Sequence, residues 1–301
     1  MPITTQTFKE VPPELITLLL RFLPESLTIL RRLQFIKITT IQRPHGQIIF
    51  CSSDGPLSDT SANTINSFTV SYLDIAGGPD TQMWLFSTLQ CRPSDSQETE
   101  QCKEQLDALV QQVNGINKAY GKPLHYGDSV VLGSLESHVR AVFQIEKLLT
   151  PRPSGNYDKW VLNLDDIPAS DDALPEGMVW GTGSLDDCKL VASRTDIPRP
   201  PEFLVQLQNY FIKLEDGTPV AWAFLGSEAT LISVHCEEPY RRRGLAKLIS
   251  IKLLRDKVAV FGPGGLSSAD VAASNTASRA LCKGLGGYPT SVVSWVMLKV
   301  E

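Results

Sequence analysis

The sequence predicts an α/β protein of two domains, each built on a mixed sheet. Three observations carry that expectation. The chain has 301 residues, the length of about two ordinary domains, and either half can bury a core of its own. Runs rich in β-branched and aromatic residues alternate with segments of helical period through both halves. Between the halves, residues 150–177 concentrate proline, glycine, serine and aspartate. The expected division is therefore a first domain at 1–149, a linker at 150–177, within which Trp160, Val161 and Leu162 could pack as a short strand, and a second domain at 178–301.

The first half opens with Pro12 and Pro13 ahead of an apolar run, which predicts a helix over 14–23 with proline and an acid in its first turn. A short helical pattern follows at 27–33. Strands are expected at 34–41, 47–52, 67–72 and 81–88, where β-branched and aromatic residues collect between turn formers. The polar tract 92–101 reads as a loop. Leu106, Leu109, Val110, Val113 and Ile116 then form a helical stripe over 102–119, and 122–149 supply a further strand and helix.

From Met178 the expected order is helix, three strands, helix, strand, helix, strand. Residues 196–201 lead into a short helix at 202–208. Strands at 210–214 and 220–225 flank Glu215, Asp216, Gly217 and Thr218, a hairpin turn. The next strand is 231–235, and Leu245, Ile249 and Leu253 share one face of the helix after it. A glycine-rich loop at 262–265, a strand at 266–272, a helix at 275–283 and a strand at 292–300 complete the chain.

Composition narrows the function. A formal net charge of −5 argues against a dedicated nucleic-acid or membrane-surface partner. The six cysteines include no CxxC pair and form no metal-like group with the four histidines; reduced thiols and no metal are expected. Residues 1–14 lack a basic stretch followed by an apolar run, and 15–20 are too short to span a bilayer. The last three residues match no receptor-read address. A cytoplasmic protein, monomer or homodimer, is the expectation.

The chemistry concentrates at 233–246. A strand ends near Glu237, three arginines follow at Arg241, Arg242 and Arg243, and Gly244, Leu245 and Ala246 open a helix. Unpaired N–H groups at a helix start point outward and the macrodipole favours negative charge there. The small residues let an anion come close, which suits a pyrophosphate. A solvated basic helix start is the alternative, and the dipole opposes it.

The pattern Arg241-x-x-Gly244-x-Ala246 resembles the acyl-CoA pyrophosphate signature of the GNAT superfamily of N-acyltransferases. Residues 178–301 are similar to that fold, in which a mixed sheet splays between its fourth and fifth strands to admit the pantetheine arm. The second half also resembles glycine N-acyltransferase-like and fungal GNAT proteins. The likeness lies in the run from Pro219 to Gly226, in His235-x-Glu237, and in Ala269-Asp270-Val271 followed by Asn275 and Ser278. It implies that the first half is a diverged GNAT-like domain, and indeed residues 1–149 hold no Arg-x-x-Gly-x-Gly/Ala match.

The resemblance further implies acetyl-CoA or another acyl-CoA as co-substrate. Its contacts would come from Val234, Cys236, Arg241, Arg242, Arg243, Gly244, Leu245, Ala246, Asn275 and Ser278. Asn275 equally has the form of a helix cap. Direct attack by an amine needs a proton acceptor, because a primary amine near pKa 10 is roughly a thousandfold depleted in free base at pH 7. Glu237 and His235 share a strand face by the two-residue period and are candidates, and Glu228 at the strand's start is another, as glycine N-acyltransferases use a Glu there. Each has the plainer reading of a strand-end acid or a packed histidine. Cys282 stands where many family members carry an acidic tyrosine; a thiol can protonate a leaving thiolate, and it can equally be buried packing.

These readings converge on an N-acyltransferase that moves an acyl group from CoA to a small amine or amino-acid-like acceptor. The alternative is a CoA-binding GNAT-like protein without transferase activity.

Overall fold

A computed structural model of the chain describes every residue except Met1, Ser94, Glu146, Asp196 and Pro198, and every side chain but those and the side chains of Gln144 and Ile145. The first half runs β1 (Thr4–Phe8), α1 (Pro13–Leu20), α2 (Leu27–Ile38), β2 (Gly46–Ser52), β3 (Phe68–Asp74), β4 (Met83–Ser87), α3 (Ser96–Tyr120), β5 (Ser129–Glu136), α4 (Ser137–Ile145) and β6 (Leu149–Asn163). The second continues with β7 (Met178–Gly181), α5 (Leu185–Ser193), α6 (Pro201–Leu204), β8 (Asn209–Leu214), β9 (Pro219–Leu225), β10 (Leu231–Cys236), α7 (Leu245–Lys257), β11 (Leu266–Ala272), α8 (Thr276–Gly284) and β12 (Tyr288–Lys299). The chain divides into two units, residues 1–158 with 291–301, and residues 159–290.

In the first unit β1, β2, β3 and β4 are antiparallel neighbours. β4 then runs parallel to β5, pairing Met83 with Leu132 and Trp84 with Gly133. On the far side of β5 lies β12, antiparallel from Val293↔Glu136 to Lys299↔Ser129. Side chains that alternate along the strands feed two cores. One gathers Ile48, Phe50, Val70 and Phe86 with Leu15, Leu19, Leu30 and Leu33 of α1 and α2. The other gathers Ile49, Leu73, Leu85 and Leu132 with Leu106, Leu109 and Val113 of α3. Burial on both faces accounts for the nearly unbroken apolar composition of these strands.

Several boundaries differ from the sequence expectation. The β-branched run at 34–41 reads as a strand but largely belongs to α2, because Ile29, Leu30 and Leu33 pack that helix into the core; tertiary burial overrides propensity here. β1 had no sequence signal of its own and forms by pairing with β2. α3 begins at Ser96, inside the tract read as loop, because the Asp95 side chain accepts from the N–H groups of Gln97 and Glu98. Much of the expected linker is strand: β6 occupies Leu149–Asn163, with Trp160, Val161 and Leu162 buried. Its prolines and glycine resemble a connection only when the paired strands are out of view. The last eleven residues, 291–301, belong to the first unit, and no local pattern announces that. In the approach to α6, Asp196 and Pro198 lie outside the described residues, and α6 itself is a single turn.

In the second unit β7, β8, β9 and β10 form an antiparallel sheet in that order. α7 turns Leu245, Ile249 and Leu253 inward, and Tyr210 of β8 donates from its hydroxyl to Asp256 near the helix's end at 2.9 Å. The neighbouring residue Phe211 points to the other face, where its ring lies against Gly183 just ahead of α5. Lys213 is on that face too, 2.6 Å from Asp187 of α5. So α7 covers one face of the sheet and α5 the other. β11 lies beside the end of β6, where Leu164 N–H donates to the Gly265 carbonyl at 2.9 Å.

Candidate functional site

β9 is buried along nearly its whole length, whereas every residue of β10 after Leu231 is only half-buried. The cause is an open edge. β10 pairs with β9 on one side, and among the described residues it meets β11 on the other only at the parallel bridge Thr230↔Ser268. There the two hydroxyls lie 3.1 Å apart, and Ser267 Oγ donates to the Ala229 carbonyl at 2.6 Å. Past that point the strands join different sheets and a gap opens between them.

β10 also carries a bulge. Its pairs run Leu231↔Leu225 and Ile232↔Phe224, then His235↔Trp222 and Cys236↔Ala221, so one extra residue is accommodated across Ser233 and Val234. Ser233 takes φ 50, left-handed and uncommon outside glycine. Glu237 N–H donates to the Val220 carbonyl at 2.9 Å. Alternation along an antiparallel ladder then turns the peptide groups of Cys236 and Val234 to the open edge. The Cys236 carbonyl is already used: Arg241 folds back to it, Nε to O 3.0 Å.

Three residues on, the chain enters α7 through Gly244, which has φ 80 and supplies no side-chain cap. A Cβ built there meets nothing within 4 Å. Glycine is thus required by conformation, and the space in front of the helix is open. Among the described residues no hydrogen bond is made by the N–H groups of Arg242, Arg243, Gly244, Leu245, Ala246 or Lys247, while Leu248 N–H closes the first helical bond to Gly244 at 3.0 Å. Arg241, Arg242 and Arg243 are all exposed. Unclaimed donors, a positive helix end and cationic side chains around open space are a fit for a diphosphate. Among the described residues no acidic side chain caps this end, and the first turn of α7 holds none.

The start of the long helix α3 in the first unit is built oppositely. The start of α3 is capped by Asp95 and carries Glu98 in its first turn. Glu98 is buried, hydrogen-bonded by Thr88 and paired with Arg92 at 3.1 Å. The protein's own carboxylates occupy that helix start.

On the α5 face of the sheet, His235 stacks on Trp222. Its Nε2 is 3.8 Å from Glu237 Oε2, an ion-pair distance rather than a hydrogen bond, and is buried without a hydrogen-bond partner among the described residues. Glu237 Oε1 accepts from Arg194 Nε at 2.9 Å. Burial pushes the imidazole pKa down, Glu237 opposes that, and Arg241 and Arg194 add to it. Glu228 lies at the other end of β10 in the turn from β9. A Cβ at Gly226 would be 3.0 Å from Glu228 Oε2 and 3.5 Å from Ile232 Cδ1, so this carboxylate bends toward the strand. The two acids therefore flank the bulge from opposite ends of β10.

Asn275 caps α8, accepting from Ser278 N–H at 3.0 Å; its side-chain amide N–H₂ is left for other partners, and Asn275 is exposed. Cys282 requires a correction. It is 1% exposed, and burial pushes its thiol up to about 11; the structure packs it as a small apolar side chain, not as an acid open to a cleft. Sequence reasoning missed Arg194, which lies 43 residues from its partner Glu237, and the place of Trp222 beneath His235. No local signal ties either to the site. Among the described residues no three His, Cys, Asp or Glu side chains are grouped as a metal site, and no helix is long and apolar enough to cross a membrane.

A mixed sheet splayed beside an uncapped, glycine-opened helix is the GNAT arrangement, and the chain has the tandem GNAT fold. Residues 1–160 match the family model VerG_N, described as the acyl-CoA N-acyltransferase verG N-terminal domain, and the chain belongs to that family of acyl-CoA N-acyltransferases. A Drosophila protein of known structure is similar over 95% of this chain and 94% of its own, with 17% identity and a TM-score of 0.64. A tandem GNAT protein from the clavulanic acid biosynthesis pathway, solved without AcCoA, is similar over 99% and 98%, with 12% identity and a TM-score of 0.52. At these identities the likeness is one of fold. None of the curated proteins matches the chain significantly.

Proposed function

We propose that the protein transfers an acyl group, acetyl in the first instance, from a CoA thioester to a small amine or amino-acid-like acceptor by direct attack. The observation that carries this reading is the start of α7, where among the described residues successive N–H groups have no acceptor and face open space beside three arginines. Acyl-CoA, when bound, supplies the activated carbonyl. Everything else is the work of side chains and peptide groups of this chain.

The N–H groups of residues 242–246 hold the diphosphate, and Arg242 and Arg243 add charge-assisted contacts. Asn275 and Ser278 contact the pantetheine arm from the start of α8, and the open-edge peptide groups of Val234 with the N–H of Cys236 contact it from β10. His235 and Glu237 take the amine's proton. The lowered pKa leaves His235 neutral near pH 7, with a ring nitrogen able to accept; Glu237, anchored by Arg194, steadies the positive charge that results. Glu228, in the turn that leads into β10, is the second carboxylate near that strand and the competing proton acceptor.

A screen of amines against acetyl-CoA and longer acyl-CoAs, following free thiol, tests the proposal. Acceptor-dependent thiol release that falls with Gly244→Asp, which places a carboxylate at the helix start, is the expected result. Tight binding of CoA with no acceptor-dependent release by any amine would favour a CoA-binding role without transfer, the reading that the burial of Cys282 supports.

A further inference from the structure

We propose that Lys159 is the fixed positive charge that steadies the sulfur as it leaves the thioester. The inference rests on the N-acyltransferase reading and fills the role that the buried Cys282 does not.

Strand register brings the residue to the site. β10 and β11 part at the Thr230↔Ser268 bridge. Asp270 is two residues further along β11 and leaves the strand on the same face as Ser268, while Ile232 is two residues further along β10, level with Asp270. Ile232 is paired with Phe224, which shares a face with Trp222 two residues earlier, and Trp222 carries the His235 ring. Asp270, Ile232 and His235 therefore look onto one face, and Asp270 stands where the gap begins to widen. Lys159, on the end of β6, reaches Asp270 there with Nζ 2.8 Å from Oδ1, each side chain 9% exposed. A buried ion pair thus sits at the closed end of the gap, on the face that carries the proposed proton acceptors.

In the transfer a C–N bond forms and the C–S bond breaks. The amine's proton passes to His235 or Glu237, and sulfur departs with the electron pair of the C–S bond. A cation could answer that charge by giving up a proton or by proximity alone. An alkylammonium ordinarily holds its proton about two pK units more tightly than a thiolate does, so full transfer would run roughly a hundredfold uphill. Proximity needs no transfer, and charges attract far more strongly in a poorly solvated site than in water. The thiolate is accordingly protonated by solvent on release. Asp270 holds the ammonium in place and moderates its charge.

The test reads the thiol of CoA itself, with no acyl transfer. The full chain is titrated with CoA and with desulfo-CoA from about pH 7 to about 9.5, bracketing the ordinary thiol value, and the bound thiol's pKa is followed by thiolate ultraviolet absorbance. In the unaltered protein that pKa is expected to fall about one unit below the ordinary value, so that CoA gains about tenfold over desulfo-CoA at the alkaline end. Lys159→Met abolishes the gain and Asp270→Asn enlarges it. Both single variants break the same ion pair, so a purely structural pair would move both in one direction, and that outcome overturns the proposal. Lys159→Met combined with Asp270→Asn removes the stranded carboxylate that could unfold the single variant, and it should also lack the gain. CoA and desulfo-CoA binding equally at every pH in all four proteins overturns the role of Lys159 and leaves the transferase reading standing. Failure of both ligands to bind overturns both.

Discussion

His235 lies flat against Trp222, ring centroids 4.5 Å apart and planes 16° from parallel. The two are cross-strand partners on β10 and β9, and Trp222 is 1% exposed, so the imidazole rests on a fixed apolar floor. Burial is the main reason its pKa is pushed down, and Nε2 is buried with Glu237 as the near carboxylate.

The lowered His235 pKa has a definite consequence for stability. Below the ordinary histidine value the unfolded chain takes up the proton first, so the contribution is fully present above about pH 6.5 and lost as pH falls through the folded value. His235→Phe keeps a stacked ring and removes the titration. Urea midpoints at about pH 7.5 and about pH 5.5 should fall on acidification more in the unaltered protein than in His235→Phe.

Glu237→Gln separates stability from chemistry. The Arg194 pair is half exposed on the arginine side, so its loss should cost less than about 1 kcal/mol in denaturant unfolding. Acceptor-dependent thiol release should fall by about a hundredfold or more if Glu237 works with His235 in proton transfer. The His235 pKa should fall further, read by NMR titration, because Glu237 opposes the effect of burial. If Glu228→Gln instead causes the larger loss of rate, the proton acceptor is Glu228.

Gly244→Ala should weaken both the fold and the coenzyme site. The position has φ 80 with open space around it, so the expected loss is the left-handed backbone cost, about 1–2 kcal/mol. Arg242 also has positive φ, 62. Arg242→Gly should stabilise the fold by up to about 1 kcal/mol for the same reason while lowering CoA affinity. Paired denaturation curves and CoA titrations read both effects.

Asp95→Ala tests the contrast between the two helix starts. Losing the α3 cap should cost about 1 kcal/mol and leave CoA affinity unchanged, whereas a gain or loss in affinity would place coenzyme contacts in the first unit.

Much of the second unit was legible because its signals are local. The basic turn and glycine before α7, the Asp216-Gly217 turn between β8 and β9, and Asn275 at the start of α8 each depend on a few consecutive residues whose conformational demands are their own. The first unit was harder. Ile36 and Ile38 favour a strand by propensity, yet α2 is fixed by what it packs against. β6 looks like a linker because its first half is mostly exposed and bears Pro151 and Pro153.

By itself the sequence determined the α/β character of the chain, the place of the basic, glycine-opened turn before α7 and the acids that flank β10, since each follows from short-range periodicity or from the identity of adjacent residues. Only the tertiary structure decided that Arg194 holds Glu237, that Lys159 meets Asp270 111 residues away, that Cys282 is buried, and that residues 291–301 return to the first unit. These depend on strand register and on which faces are covered, quantities set by the whole chain folding at once and written in no single stretch of it.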